Sequence, residues 1–433
     1  MTPPNPMTCD SLAATLAPAE AVATPWHVVI VGGGPAGSAA AIRLARRGLR
    51  VLLVDRDTMP RWKVCGCCLS ATALGELRML GFEDATRQPL LAIRLKTVRV
   101  VAARHATRLP LPDGAALSRE ALDRALVRRA IDAGCDWLPH TNVTAIDERS
   151  SPGKVLIATG SSARAATEQA ELAAEYCILA TGLADHVRIR SPATDGARHS
   201  ELVRAEREVA RDSRIGLGAM LAADASDLPS SELLMAVSRS GYCGLVRLAD
   251  GGIDLAAAVD RAALAGPTGP GGAVWSILNE AEGDIGRLRM SEQAIRTAEF
   301  RATPPLTHAS ALVAGATGRM LRAGDAAAYV EPFTGEGIGW ALTSGRIVAD
   351  AVLARSPQGS ATLCSPIEVA TRYRVDHRQH FQPLHDRCRR VSIALRRPAV
   401  VAAAMHAARI APWAARRLMP ALIGSHVAEA SCS

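Results

Sequence analysis

Lysine is nearly missing from this chain: of 50 basic residues only Lys63, Lys96 and Lys154 are lysine, and the rest are arginine. Aromatic residues are scarce as well, at 3%. The net charge of +8 is spread along the chain and no aromatic interleaving accompanies it, which argues against nucleic-acid binding. No window reaches the ~18 uninterrupted apolar residues of a membrane-crossing helix. Ten cysteines, unevenly spaced over 433 residues, do not make a secreted disulfide framework, so a reducing cytoplasm is the expected setting. The first 24 residues have neither a basic start nor a continuous apolar stretch and read as a flexible tail, not a targeting segment.

What is present is a large apolar complement, 48% of the chain, enough for two domains or one large domain carrying an insertion. Its order begins at WHVVIVGGGPAGSAAAIRLARRGLRVLLVD. His27 to Val31 is a β-branched run with the look of a buried parallel strand, Gly32 to Gly37 is a turn, and Ser38 to Arg47 has helical periodicity. Arg50 to Val54 is a second strand, ending in Asp55 and Arg56.

This order suits a dinucleotide. Gly32 makes the sharp turn, Gly34 leaves room for a pyrophosphate, Gly37 lets helix and strand close together, and Pro35 and Ala36 lead into a helix N-terminus rich in unpaired N–H groups. Asp55 is spaced to accept from a ribose hydroxyl. Two later stretches add to this. LSREALDRALVRRAIDAGCDW (117–137) reads as a helix capped by Ser118 with Arg119 at its entry, and MLRAGDAAAYVEPFTGEGIGWALTSGRIVADAV (320–352) as a strand, a glycine-bearing loop and a long helix.

With these three segments in this order the chain resembles the flavoproteins with a glutathione-reductase-type FAD domain and a para-hydroxybenzoate-hydroxylase-like fold. The resemblance covers residues 27 to 350. It implies FAD as cofactor, with Arg119 near the phosphate or ribose, and Gly324 and Asp325 near the ribityl or pyrophosphate part. The backbone of Pro332, Thr334, Gly335, Glu336, Gly337 and Ile338 would lie along the isoalloxazine, where a helix N-terminus stabilises reduced flavin. Glu336 either belongs to that loop or caps the following helix.

KVCGCCLS (63–70) is similar to the K-x-C-G-x-x-L-S of geranylgeranyl-reductase-like proteins at Lys63, Cys65, Gly66, Leu69 and Ser70, which implies a turn on the flavin side with Cys65 and Gly66 facing the ring. The Gly-Glu-Ser and W-x-W-x-I-P patterns of flavin-dependent halogenases are not found. A zinc site would need a fourth ligand and a partner pair that the sequence does not offer, so no metal is expected. Three readings stay open: a redox pair of Cys65 with Cys67 or Cys68 beside Lys63, small residues filling a tight turn, or a substrate-facing role for Cys65 alone.

Two segments depart from the family. SGYCGLVRLADGGIDLAAAVD reads as a hairpin of Gly241 to Leu248 and Ile253 to Val259, and keeps Tyr242 of the reductases' Y-x-W-x-F-P but has Gly244 in place of Trp. Ala180-Thr181-Gly182 stands where NADPH-using hydroxylases read A-D-G, which argues against reduction by NAD(P)H through the usual route, though NAD(P)H stays open as a donor. Either a separate flavin reductase or carrier supplies electrons, or the enzyme oxidises its substrate and passes electrons to oxygen or a quinone.

The expected fold class is α/β (α+β): a Rossmann-like FAD domain (25–89, 116–189, 301–365), an interleaved β-sheet substrate domain (90–115, 190–300), C-terminal helices (366–424) and a tail (425–433). The catalytic candidates are Cys65, Gly66, Tyr242 and Glu336. The cofactor-binding candidates are Gly32, Gly34, Pro35, Ala36, Gly37, Asp55, Arg56, Arg119, Thr181, Gly182, Gly324, Asp325, Pro332, Thr334, Gly335, Gly337 and Ile338. The expected function is an FAD-dependent reductase or dehydrogenase of a hydrophobic isoprenoid or polyketide-like molecule. The alternatives are a flavin-dependent monooxygenase and a non-catalytic FAD-binding redox partner. Basic C-terminal helices offer peripheral membrane contact.

Overall fold

The computed structural model describes residues 11–159, 168–190, 203–204, 207–281, 290–310, 313–331, 333, 335–354 and 364–410. Among them, two large sheets carry the architecture. The first runs Val203–Arg204, Arg188–Arg190, Thr141–Asp147, Gly153–Thr159, Glu168–Leu179, Trp26–Val31, Val51–Val54, Asp136–Leu138, with Met320–Arg322 also on Glu168–Leu179. Its centre is parallel: Val28 lies opposite Val51 on one side and Tyr176 on the other. Layers cover both faces there, which is why Val28–Val31 and Val51–Val54 are apolar at every position.

The turn into the first helix needs glycine for two reasons. Gly32 has φ of +109°, a region closed to side chains, and a Cβ on Gly37 would lie 1.9 Å from the Gly32 carbonyl oxygen. The helix runs Pro35–Ala45 and so begins three residues before Ser38, since proline at the first turn needs no N–H partner. Against it packs Gly337–Val352, where a Cβ on Gly345 would meet the Ala36 carbonyl oxygen at 2.2 Å.

The second sheet runs Arg301–Pro305, Ile215–Leu221, Ile253–Val259, Gly241–Arg247, Glu232–Ser238, Ile93–Ala102, His105–Ala116, Cys68–Leu69. The hairpin forms where the turn signals place it, with Leu245 opposite Leu255. Alternation sorts its faces. Cys243, Leu245, Leu255 and Ala257 turn to the helix Gly269–Ala281, and Tyr242, Gly244, Ala256 and Ala258 turn the other way.

The structure corrects the division of the chain in three places. Residues 11–24 are no loose tail: Leu12 and Ala21 are buried, Pro18–Ala23 is helical, and the Trp137 backbone N–H donates to the Thr15 hydroxyl at 2.8 Å. Val203–Arg204 extends the first sheet, and Arg301–Pro305 extends the second, so each sheet draws on a segment assigned to the other. The C-terminal region is helical over Pro366–Leu395 and Pro398–Ile410; beyond 410, the expected helices lie outside the described residues. The longer helix is seated by Val369, Tyr373, His377, Phe381 and Cys388, and the Tyr373 hydroxyl donates to the Arg322 carbonyl. No described helix is long and apolar enough to cross a membrane.

Candidate active site

Between the two sheets lies a cavity of about 600 Å³. Of the candidates, Gly32, Gly34, Pro35, Ala36, Asp55, Arg56, Cys65, Gly66, Arg119, Thr181, Gly182, Tyr242, Asp325, Gly335, Gly337 and Ile338 line it. Gly37 and Gly324 stand behind the lining and serve close packing; a Cβ on Gly324, whose φ is +62°, would meet Ala36 Cβ at 2.9 Å. Glu336 is buried and does not line the cavity. Pro332 and Thr334 lie outside the described residues.

One end of the cavity fits a pyrophosphate. A Cβ on Gly34 would face open space, with Arg119 Nη2 at 3.9 Å and Arg61 Nη2 at 4.0 Å its nearest neighbours. Two guanidinium groups thus flank a bare backbone at a helix N-terminus. Asp55 braces this loop: Oδ2 accepts from the Gly33 N–H at 2.7 Å and Arg61 at 3.1 Å, while Oδ1 accepts from the Asp57 N–H at 3.0 Å. Its lone pairs on Oδ1 leave capacity for a ribose hydroxyl. Thr181 Oγ1 is buried at the wall without a partner, a further acceptor or donor for a bound group. When bound here, FAD would be held by Gly34, Arg61, Arg119, Asp55 and Asp325, and would supply hydride chemistry.

The cysteine turn closes the cavity on the other side. Its backbone is pinned to the second sheet, because Cys68 pairs with Ala116 and the Leu117 N–H donates to the Cys67 carbonyl at 2.8 Å. A Cβ on Gly66 would touch Ala256 Cβ at 3.9 Å. Cys67 is buried and holds φ of 50°, unusual for a residue with a side chain. Its neighbour Cys67, and then the charge of Arg119, bring the Cys65 thiol down to about 6 against the opposing effect of burial. Cys68 goes the other way, pushed up by burial and by Cys65.

Lys63 is therefore not the cation that acidifies Cys65. Burial, then Arg119 and Arg61, pull its own amine down to about 8, and its Nζ stands 2.9 Å from the position of a Cβ on Gly182. Arg119 is held for its task by a bidentate pair with Asp123 at 2.8 and 3.0 Å. Tyr242 meets Phe333 edge-on at 5.1 Å, and burial keeps its phenol far above the ordinary value, so it acts only as a proton-bearing group. Glu336 sits at the N-cap position of Gly337–Val352 but makes no capping bond; its carboxylate instead accepts from the Ser70 hydroxyl at 2.8 Å. Burial raises it to about 7.

Residues that spacing alone did not single out are Arg61 and Asp254. Asp254 is buried on the strand Ile253–Val259, and burial and then Cys65 push its carboxyl well above the carboxylate range. An acid inside an apolar strand, IDLAAAV, is the one signal that could have marked it. Among the described residues no cluster of three or more His, Cys, Asp or Glu is placed to hold a metal ion.

Residues 26–221 match the model of the pyridine nucleotide-disulphide oxidoreductase family. The chain is 28% identical over 337 residues to a menaquinone reductase of Mycobacterium tuberculosis, covering 75% of each chain. It is 34% identical over 114 residues, 26% of this chain and 29% of the other, to digeranylgeranylglycerophospholipid reductase 2 of Methanothermobacter thermautotrophicus. Among solved structures, the flavin-dependent brominase Bmp2 superposes with a TM-score of 0.69 at 17% identity over 93% of this chain and 94% of that one. A geranylgeranyl bacteriochlorophyll reductase-like protein of Thermoplasma acidophilum does so with a TM-score of 0.60 at 19% identity over 86% and 88%. Fold and cavity together define a flavoprotein oxidoreductase. The chain is an FAD-dependent oxidoreductase that shares its fold with the solved brominase and the geranylgeranyl-reductase-like protein.

Proposed function

We propose that this enzyme is a reductase that saturates a carbon–carbon double bond in a hydrophobic, isoprenoid-bearing molecule, of which a polyprenylated quinone is the nearest example. The observation that carries the reading is the cavity wall opposite the glycine loop. Cys65 and Gly66 stand there against Gly244, Ala256 and Ala258, small side chains that leave width for a substrate beside the cofactor. Leu217, Leu233, Met235 and Phe333 make the same wall apolar. Two relatives carry reductase in their names, one for menaquinone and one for a digeranylgeranyl lipid. The protein's share of the work is to hold substrate and cofactor in contact, exclude water and deliver a proton.

A second reading, a monooxygenase, is favoured by Gly244 where the reductases keep Trp. The electron donor is NAD(P)H or a separate flavin reductase; Thr181, in place of an acid, favours the latter. Peripheral membrane contact through the C-terminal helices belongs to the same reading, with Ile367, Val375, Ile393, Val400 and Ile410 exposed along them.

The test reduces the purified holoenzyme anaerobically, with NADPH in one arm and dithionite in the other, then adds menaquinone and weighs the product. A product formed without oxygen that stays heavier by two hydrogen atoms after its quinol ring is reoxidised in air supports the reductase. Product only on admitting oxygen, heavier by one oxygen atom, selects the monooxygenase. Reduced flavin that neither menaquinone nor oxygen plus menaquinone converts to product overturns both for this substrate.

A further inference from the structure

Arg214 is fully buried, at 0% exposure, just before the strand Ile215–Leu221. Its guanidinium joins two acids from distant parts of the chain: Nε donates to Asp260 Oδ1 at 3.0 Å, and Nη1 donates to Glu331 Oε1 at 3.2 Å. Both acids are shared with the end of the helix Pro366–Leu395. The Ser392 hydroxyl donates to the same Glu331 Oε1, and Arg396, at the C-cap, donates from Nη1 to the same Asp260 Oδ1 at 3.0 Å. Arg396 Nη2 adds a bond to the Asp212 carbonyl at 2.6 Å. Ser392 and Arg396 are one helical turn apart, so the contacts close into a circuit of Arg214, Glu331, Ser392, Arg396 and Asp260.

The circuit touches the cavity without lining it. Arg214 Cζ stands 5.5 Å from the centroid of the Tyr242 ring, the ring that meets Phe333 edge-on. Glu331 reaches Phe333 from the other side, its carbonyl accepting from the Phe333 N–H at 3.2 Å. Tyr242 and Phe333 both line the cavity; none of the five circuit residues does. The arrangement is costly, because Arg214 Nη2 and Glu331 Oε2 are buried with no hydrogen-bond partner. Apolar residues would fill the same space at lower cost. What a guanidinium adds is a flat, stiff group that bridges two carboxylates while lying against an aromatic ring.

We propose that Arg214 is a positioning residue for the substrate wall, holding the Tyr242 ring and its Phe333 partner in place, with Ser392 and Arg396 as its anchors. The end of the C-terminal helix thereby belongs to the substrate site at one remove, and loosening it displaces a ring inside the cavity. The part this wall plays in turnover rests on the reductase reading above; the placement of the ring does not.

The test uses the FAD-loaded full chain with 3-fluorotyrosine in place of its four tyrosines, read by fluorine NMR, with tyrosine-to-phenylalanine variants assigning the lines. Ser392→Ala removes one link of the circuit and should shift or split the Tyr242 line. Tyr373, on the same helix and bonded to the Arg322 carbonyl, should hold its line, as should Tyr176 on the first sheet. Arg214→Lys keeps the charge but cannot bridge both acids, and should move the Tyr242 line further. The double variant should move it no more than Arg214→Lys alone, since both changes act along one path. Arg396→Gln loosens the second anchor and should move the same line, which keeps the test open if Arg214→Lys does not fold. A Tyr242 line unmoved in Ser392→Ala, one that moves only together with the Tyr373 line, or shifts that add in the double variant overturn the proposal. Failure of the menaquinone assay with the Tyr242 line moving as expected strikes only the substrate reading.

Discussion

Ser70 and Glu336 lie 266 positions apart and meet at 2.8 Å, the serine hydroxyl donating to the buried carboxylate. The same hydroxyl accepts from the Ala73 N–H at 3.2 Å and so caps the helix Ala71–Met79. One small side chain therefore ties the cysteine turn, through its closing serine, to the loop that opens the long helix Gly337–Val352. The cavity wall is rigid where these two segments meet.

That contact has a pH signature. The carboxyl of Glu336 is raised from its ordinary 4.5 to about 7 by burial, so the folded state holds a proton that the unfolded chain gives up. Stability is fully present below about 4.5 and falls as pH rises through 7. Glu336→Gln keeps an acceptor for Ser70 without the charge. It should stabilise the protein by about 2 to 3 kcal/mol at pH 8 and by little at pH 4. Urea unfolding at the two pH values checks this, and an equal effect at both would remove the titration.

Gly34 and Gly37 are three residues apart and should fail in different ways. Gly34→Val places its side chain in open space between Arg61 and Arg119. The fold should survive within about 0.5 kcal/mol while FAD is lost on gel filtration. A yellow Gly34→Val protein with native flavin content would overturn the phosphate-end assignment.

Gly37→Ala puts its Cβ 1.9 Å from the Gly32 carbonyl oxygen, and both are fixed backbone. Helix and strand must part, so we expect a loss of about 3 kcal/mol or more, or no soluble protein at all. Thermal melts of the flavin-free forms of the two variants, side by side, separate a binding defect from a folding one.

Gly244→Trp narrows the apolar wall. Its first carbon already meets Met235 Sδ at 3.0 Å, a flexible neighbour that can yield. Flavin content should hold while turnover of a polyprenylated quinone falls about tenfold or more as the chamber fills. A variant as fast as the native enzyme would place the substrate elsewhere.

Much of this site was legible before the fold was known, and for a physical reason. The strand, glycine turn, helix and acid from Trp26 to Asp55 are a local program: β-branched residues, a left-handed glycine and a proline at the first helical turn act over neighbours in sequence. So does the hairpin at Gly241–Arg247 and Ile253–Val259. The KVCGCCLS stretch could be assigned to a turn, and its resemblance placed it near the flavin, yet its chemistry stayed divided among filler, redox pair and substrate contact.

What the chain alone determined, then, is the bare glycine turn at a helix N-terminus, since that depends on glycines and helix ends that are written in order. What only the tertiary structure decided is which charges meet. Lys63, the near neighbour, is not among the groups that set the state of the Cys65 thiol; Arg119 and Cys67 set it. Glu336 turned from its own helix to Ser70, and Asp254 came to the cysteines from a strand almost two hundred residues on. Electrostatic influence falls with distance through space and with exposure to water, and neither quantity has any fixed relation to separation along the chain.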